Sequence, residues 1–323
     1  MSAARFLPLA LALLLLACAP PGPGGGRPAD CATGGGDPVA GVAGVTGQLA
    51  FSCDVGDRSG VVDLNLFLLP PAGGRSTRLT RGLAQDLEPA WSPDGATVVF
   101  SSTRDGRQSI YRMDAAGGHV RRLTSGPAAD FEPDWSPDGR WVVFASGRGG
   151  VSAPLGRRAV PASLYRVGQD GTGMRRLTYA SSYDGDAAWS PDGSSIAFVS
   201  DRAGSVDVWI VAAGGPGLTR VTRSPGTDER PTWSPDGARL AFGRLGADGV
   251  RSSVLVVNRD GTGERLVVGD GREPAWSPDG RWIAFVSDRD GHANVYVASA
   301  AGDGRVARVT SDWAPKFRPA WRP

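Results

Sequence analysis

Few residues of this chain could carry acid–base, nucleophilic or metal chemistry. The sequence holds two histidines, His119 and His292, and three cysteines, Cys18, Cys31 and Cys53. The histidines fall in different loop classes, so they do not make the multi-histidine site that holds a catalytic metal. No Gly-x-Ser-x-Gly stretch occurs, which removes the nucleophile elbow of a serine hydrolase. Asp288-x-Asp290-Gly291 has the start of a calcium loop, but Asp105-Gly106 and Asp201 at the equivalent places lack the rest, and an Asp-Gly turn accounts for it. The expectation is a chain without catalytic residues, metal or cofactor. Acids and arginines, by contrast, recur. Glu88, Glu132, Asp186, Arg230, Glu273 and Arg318 each stand three residues before a tryptophan, and Arg104, Arg148, Arg202 and Arg289 follow a strand. One reading has them pairing within or between repeats, each exposed pair worth no more than about 1 kcal/mol. The other has four acids and two arginines ringing the mouth of a channel and binding a peptide or sugar.

The elements that position these residues repeat. Trp-Ser-Pro-Asp-Gly begins at Trp91, Trp135, Trp189, Trp233 and Trp276, and a shortened copy closes the chain at Trp321. The intervals are 43 to 45 residues except for 54 between Trp135 and Trp189, where an insertion at Gly149 to Ala162 carries Arg157 and Arg158. A period near 44 with four short strands per unit is that of a propeller blade. Ser, Pro and Gly at those places suit a type I turn inside a hairpin. The preceding Glu-Pro-x segments are placed at strand starts, because proline suits the first residue of a strand. The segments that follow alternate and end in an aromatic, as in Thr97-Val98-Val99-Phe100 and Trp141-Val142-Val143-Phe144. A third strand carries Ile110-Tyr111 or its equivalent, and a fourth ends in Leu-Thr, as at Leu123-Thr124.

The ends of the repeat array set the blade count. Gln48 to Thr80 supply strands two, three and four of a blade but no strand one, and Phe317 to Trp321 repeat a strand one and then stop. The C-terminal segment is therefore expected to complete blade one, giving an all-β, six-bladed propeller of four-stranded antiparallel blades over residues 48–323. Closure removes exposed sheet edges. The 47 glycines and 25 prolines reflect many tight turns, and a net charge of +2 gives no strong basic face for nucleic acid.

The N-terminus reads as an address. Arg5, the apolar run Phe6 to Leu16 and a small residue before Cys18 form a secretory signal over residues 1–17. Leu15-Leu16-Ala17-Cys18 resembles a bacterial lipobox, which implies a diacylglyceryl thioether on Cys18 and a stable membrane anchor; a plain cleaved signal or an uncleaved anchor is the alternative. Ala19 after the cysteine resembles the sorting pattern for the outer membrane in a host with two membranes. Residues 18–47 are rich in Gly, Pro and Ala and read as a tether. In an oxidising compartment Cys31 and Cys53 are expected to pair, closing a loop worth roughly 3 kcal/mol in the chain-entropy account; two free thiols are the alternative.

The unit Glu-Pro-x-Trp-Ser-Pro-Asp-Gly, a strand ending in Phe, then Ser-Asp-Arg-x-Gly as at Ser200 to Gly204 and Ser287 to Gly291, then Leu-Thr, resembles the WD40-like (PD40) repeat of the TolB-type β-propellers. The resemblance covers nearly all of Gln48 to Trp321. Full-length proteins of that type carry a separate α/β domain ahead of the propeller, which residues 19–47 do not accommodate. Similar propellers precede the hydrolase domain of some serine peptidases, and some oligogalacturonide lyases resemble the same propeller with a histidine-held metal; neither set of residues is present here. Taken with the lipobox, the expectation is a lipid-anchored, monomeric interaction module of the cell envelope that binds a protein or peptide, with the loop face as the candidate surface. A glycan-binding or glycan-cleaving propeller is the alternative, recognisable by exposed aromatics lining the channel.

Overall fold

The computed structural model describes residues 47–56, 62–70, 75–148, 161–179, 182–249, 251–311 and 314–323. The signal segment, nearly all of the tether with Cys18 and Cys31, most of the blade-three insertion with Arg157 and Arg158, and Trp313 lie outside the described residues. The strands form six separate four-stranded antiparallel sheets, each a blade. Five blades are contiguous in sequence, with strand one of blades two to six at Asp86–Trp91, Asp130–Trp135, Asp184–Trp189, Thr227–Trp233 and Arg272–Trp276. Blade one takes its strand one from Lys316–Trp321, which pairs antiparallel with Leu49–Asp54 through Leu49↔Trp321, Ala50↔Ala320 and Cys53↔Lys316. Cys53 is fully buried there and held in a disulfide.

The pentapeptide forms the turn between strands one and two. In blade two the Gly95 amide donates to the Ser92 carbonyl at 2.8 Å, with Gly95 at φ 64°. The Ser92 hydroxyl donates to the Asp94 carboxylate at 2.6 Å and accepts from the Thr97 amide at 2.9 Å. The Ser92 bond, followed by that from the Ala96 amide, holds the Asp94 carboxyl below its usual range. Strand four is shorter than expected in blade two, Arg121–Arg122, and Leu123-Thr124 follows it. The Thr124 hydroxyl accepts from the Ile110 amide of strand three at 3.0 Å, so the threonine continues the ladder after the backbone pairing ends. Thr80, Thr178, Thr222 and Thr310 do the same in four other blades.

Each tryptophan packs against the preceding blade. Trp91 shares a core with Leu66 and Leu79 of blade one and with Phe100 and Met113 of its own blade. Trp321 packs in the core between blades six and one, and its indole N–H donates to the Ala275 carbonyl at 3.1 Å. Burying such aromatic surface in every junction is what closes the ring.

One expectation about strand one is corrected. Pro89, Pro133, Pro231, Pro274 and Pro319 stand in the middle of their strands, not at the start. The pairing register slips there, as between Leu87 and Ala90, which marks a β-bulge. Strand one is the sheet edge that lines the axis, and a bulge on an edge is where a residue without an N–H is tolerated.

Candidate functional site

The residue before each of those prolines, and Asp186 before Ala187, turns out to be the special one. Glu88, Glu132, Asp186, Arg230, Glu273 and Arg318 all adopt left-handed backbone, with φ between 49° and 61°. That conformation costs a non-glycine residue roughly 1–2 kcal/mol. The bulge offers compensation by aiming backbone amides at the carboxylate of the preceding blade. Glu88 accepts from the Glu132 amide at 2.6 Å, Glu132 from the Asp186 amide at 2.5 Å, Asp186 from the Arg230 amide at 3.2 Å and Glu273 from the Arg318 amide at 2.6 Å. Hydrogen bonds to a charged group contribute about 1.5–3 kcal/mol, enough to offset the backbone strain. This relay from blade to blade lapses only after Arg230 and Arg318, whose side chains have no acceptor.

The two arginines complete the layer with ion pairs. Arg230 reaches Glu273 at 3.1 Å. Arg318, on the closing strand, meets Glu88 at 3.2 Å and Glu132 and Asp186 at 3.3 Å. Blade four stands opposite blade one in a ring of six, so the Arg318–Asp186 pair spans the axis and obstructs it at this level. The six residues, with the residues that follow them, line a cavity of about 120 Å³. Its lining is acids, arginines, prolines and an alanine, with no aromatic.

Burial and like charge shape the titration of this layer. Burial raises the Glu88 carboxyl above its usual range, against the opposing Glu132 amide and Ser101 hydroxyl. Glu132 is pushed well above, by burial first and then by Asp186 and Glu88. Burial opposes the charge of Arg230, but Glu273 and Asp186 outweigh it and keep the guanidinium protonated. Tyr183, whose hydroxyl donates to Glu132 at 3.2 Å, is raised well above its ordinary value by burial and by that carboxylate. Asp134, facing the Trp189 amide at 2.8 Å, is lifted to about 6 by burial.

Arg104, Arg148, Arg202 and Arg289 do not join this layer. Arg104 pairs with Asp86 at 2.9 Å, Arg202 with Asp184 at 2.7 Å, and Arg148 with Asp130. Each lies over aromatic rings of its own blade, Arg104 at 5.0 Å from the centroids of both Phe100 and Tyr111. In blade six, where Gly271 replaces the aspartate, Arg289 donates instead to the Gly269 carbonyl at 2.8 Å. Sequence reasoning missed Asp86, Asp130 and Asp184. Their signal was a fixed 18-residue offset between each aspartate and its arginine. The arginines are thus blade struts, and the ring acids are inter-blade ties around a cavity. Among the described residues no three His, Cys, Asp or Glu side chains are grouped so as to hold a metal ion.

Residues 157–267 and 219–323, together more than half of the chain, match the family model described as the TolB beta propeller domain. The chain belongs to the TolB β-propeller family. Residues 61–158 of this TolB-family propeller also match the model of the tricorn protease N-terminal beta propeller domain. Its fold is similar to the crystal structure of TolB from Acinetobacter baumannii, at 22% identity and a TM-score of 0.72, over 86% of this chain and 67% of that one. A putative TolB from Agrobacterium tumefaciens is 21% identical with a TM-score of 0.62, over 87% of this chain and 100% of that one. An oligogalacturonate lyase in complex with manganese shares the fold at 18% identity and a TM-score of 0.55, over 78% and 72% of the two chains. No curated protein matches the sequence.

Proposed function

We propose that this TolB-family propeller is exported, anchored to the cell envelope through lipidated Cys18, and binds another envelope protein or a peptide on its loop face without catalysing a reaction. The observation that carries the reading is on that face. The two most exposed large hydrophobic side chains among the described residues, Leu83 at 87% and Tyr179 at 74%, both sit on connections between strand four of one blade and strand one of the next. These connections share a face with the loops that follow strand two. Leu83 belongs to no core cluster and the Tyr179 ring meets only the Arg176 guanidinium, at 4.8 Å, among the ring contacts of the described residues, whereas a partner protein would bury both. Loops that break a regular repeat are also where binding residues gather.

The test is photo-crosslinking in intact cells with a crosslinking residue at Leu83 or Tyr179 of the full-length protein. Asp236, on the opposite Pro-Asp-Gly face, is the control position. A protein captured from the loop face alone, and lost when the neighbouring position carries Leu83→Glu or Tyr179→Glu, supports the reading. Equal capture from both faces, or capture from Asp236 alone, counts against it, and capture of glycan would favour the carbohydrate alternative.

A further inference from the structure

Two fixed points in blade one bear on the chain that precedes the propeller. Gly47 stands on the Pro-Asp-Gly face, where a Cβ would lie 3.1 Å from the Trp321 ring and the Arg322 amide donates to the Gln48 carbonyl at 2.8 Å. Strand two then climbs through Leu49–Asp54, pairing Leu49 with Trp321 at one end and Cys53 with Lys316 at the other. Cys53 thus sits one residue from the loop-face end of its strand. It is fully buried in the core that blades six and one share, with Phe51, Val295, Val297 and Ala314.

Cys53 is disulfide-bonded, and the chain holds two other cysteines, Cys18 and Cys31, both ahead of Gly47. With its sulfur in a diacylglyceryl thioether, as proposed above, Cys18 cannot form a disulfide, which leaves Cys31. Disulfide-linked residues have Cα atoms no more than about 7 Å apart. The covalent path from the lipid anchor would then meet the propeller at the loop-face end of the seam between blades six and one, and not at Gly47 on the opposite face. The bond would also shorten the tether. Cys31 is 13 residues from Cys18, against 29 for Gly47. A chain spans at most about 3.3–3.6 Å per residue, so the reach falls from about 100 Å to about 45 Å. Turning the Pro-Asp-Gly face to the bilayer would use about 30 Å of that reach, about 10 Å to pass outside strands three and four and about 20 Å to descend the six residues of a strand. With the loop face toward the bilayer no such detour is needed.

We propose that a Cys31–Cys53 disulfide turns the loop face, with Leu83 and Tyr179, toward the membrane that carries Cys18, and that the polypeptide docking there is itself held in that membrane by a span or a lipid anchor of its own. The inference rests on the anchoring and loop-face readings above and names the class of partner. Leu83 belongs to the connection that leaves blade one, the blade to which the tether is bonded. The face opens on a gap no deeper than about 45 Å, the length of the extended tether. Confinement of both proteins to one bilayer raises their effective concentration, so a small apolar contact suffices where free diffusion would demand a larger one.

The first arm places the full-length, lipidated protein in vesicles of phosphatidylethanolamine and phosphatidylglycerol. A donor fluorophore on a noncanonical residue at Leu83 or at Asp236 reports its distance to acceptor-labelled lipid. The expected result is Leu83 nearer the bilayer by about 20 Å or more, the height of a strand. That difference disappears in Cys31→Ser with Cys53→Ser. It disappears too when about 20 Gly/Ser residues follow Ala19, a variant that keeps the disulfide and the fold but lengthens the reach to about 115 Å. Equal distances in wild type, or a difference that survives in either variant, overturn the proposal. Mass spectrometry that links Cys53 to Cys18 overturns it together with the lipid anchor. The second arm is the Leu83 crosslink in cells, with the captured species identified. A protein with its own transmembrane span or lipid anchor supports the assignment. A protein with neither overturns the membrane-held partner and leaves the loop-face reading intact, and capture of lipid overturns it in favour of direct seating on the bilayer. Wild type that captures nothing defeats the loop-face reading and the partner with it, while the vesicle distances still decide which face the tether presents.

Discussion

Replacing Arg318 with alanine removes one guanidinium that faces three carboxyls from three blades. Its contacts with Glu88, Glu132 and Asp186 are 3.2–3.3 Å, and only 13% of its side chain is exposed. Removing one partner of a buried ionic cluster costs about 3–5 kcal/mol, because the remaining charges stay buried and uncompensated. For a domain of this size that corresponds to a fall of roughly 6–10 °C in melting temperature. The loss depends on pH. Glu88 and Glu132 are already raised by burial, and without Arg318 they rise further, so more protons are bound in the folded state than in the unfolded one. A raised folded-state midpoint gives stability that is complete below the unfolded midpoint and is lost as pH climbs through the folded one. The deficit of Arg318→Ala is therefore largest at pH 8.5 and smaller at pH 5, where protonation removes the repulsion. Urea denaturation at the two pH values, on protein with its disulfide intact, measures it. Adding Glu132→Gln to Arg318→Ala should recover part of the loss at pH 8.5. A deficit below about 1 kcal/mol at pH 8.5, or one equal at both pH values, would refute the argument that Arg318 neutralises the layer.

Glu229→Leu should be more stable than wild type at pH 8, by up to about 3 kcal/mol, since a midpoint raised from 4.5 to about 7 disfavours the ionised form by 1.36 kcal/mol per unit. Wild type should lose that margin between pH 4.5 and 7 while the variant does not; parallel pH–stability curves would contradict this. Deleting 317–323 removes the buried indole of Trp321 and most of strand one of blade one, with an expected cost of at least 3–5 kcal/mol for the aromatic alone; a deletion that melts with wild type would defeat the closure argument. Thr124→Val leaves the buried Ile110 amide without its acceptor and should cost about 1–3 kcal/mol, with Thr124→Ser restoring most of it. Mass spectrometry of unreduced, alkylated protein should find Cys53 unlabelled and linked to Cys31, whereas label on both cysteines would exclude that pair.

The periodic parts of the sequence were legible because each repeats a local rule. Ser92-Pro93-Asp94-Gly95 encodes its turn through one hydroxyl, one carboxylate and one glycine, all within four residues. Phe317 to Trp321 could be matched to blade one because a six-residue strand carries its own pattern wherever it pairs. The ring residues were singled out by their constant distance from tryptophan, but the placement of their Glu-Pro-x segments at strand starts was wrong. Proline signals a strand start in isolation, and only the pairing across the sheet shows that a bulge accommodates it in mid-strand. Asp86 and Arg104 were separable only by seeing strands one and two side by side.

By itself the sequence determined an all-β repeat of six units, the turn chemistry of each unit, and the fact that the last strand belongs to the first blade, because these follow from periods of two and about 44 residues and from short-range hydrogen bonding. The tertiary structure alone decided which charges meet. Arg318 and Glu132 are 186 residues apart in the chain, and no local pattern relates them. Nor does any local pattern give the left-handed backbone at six aligned positions, four of which, Glu132, Asp186, Arg230 and Arg318, have their amide answered by the carboxylate of the preceding blade. Closing the ring brings those side chains to a common axis, where burial and mutual repulsion, both properties of the assembled blades, set their charge.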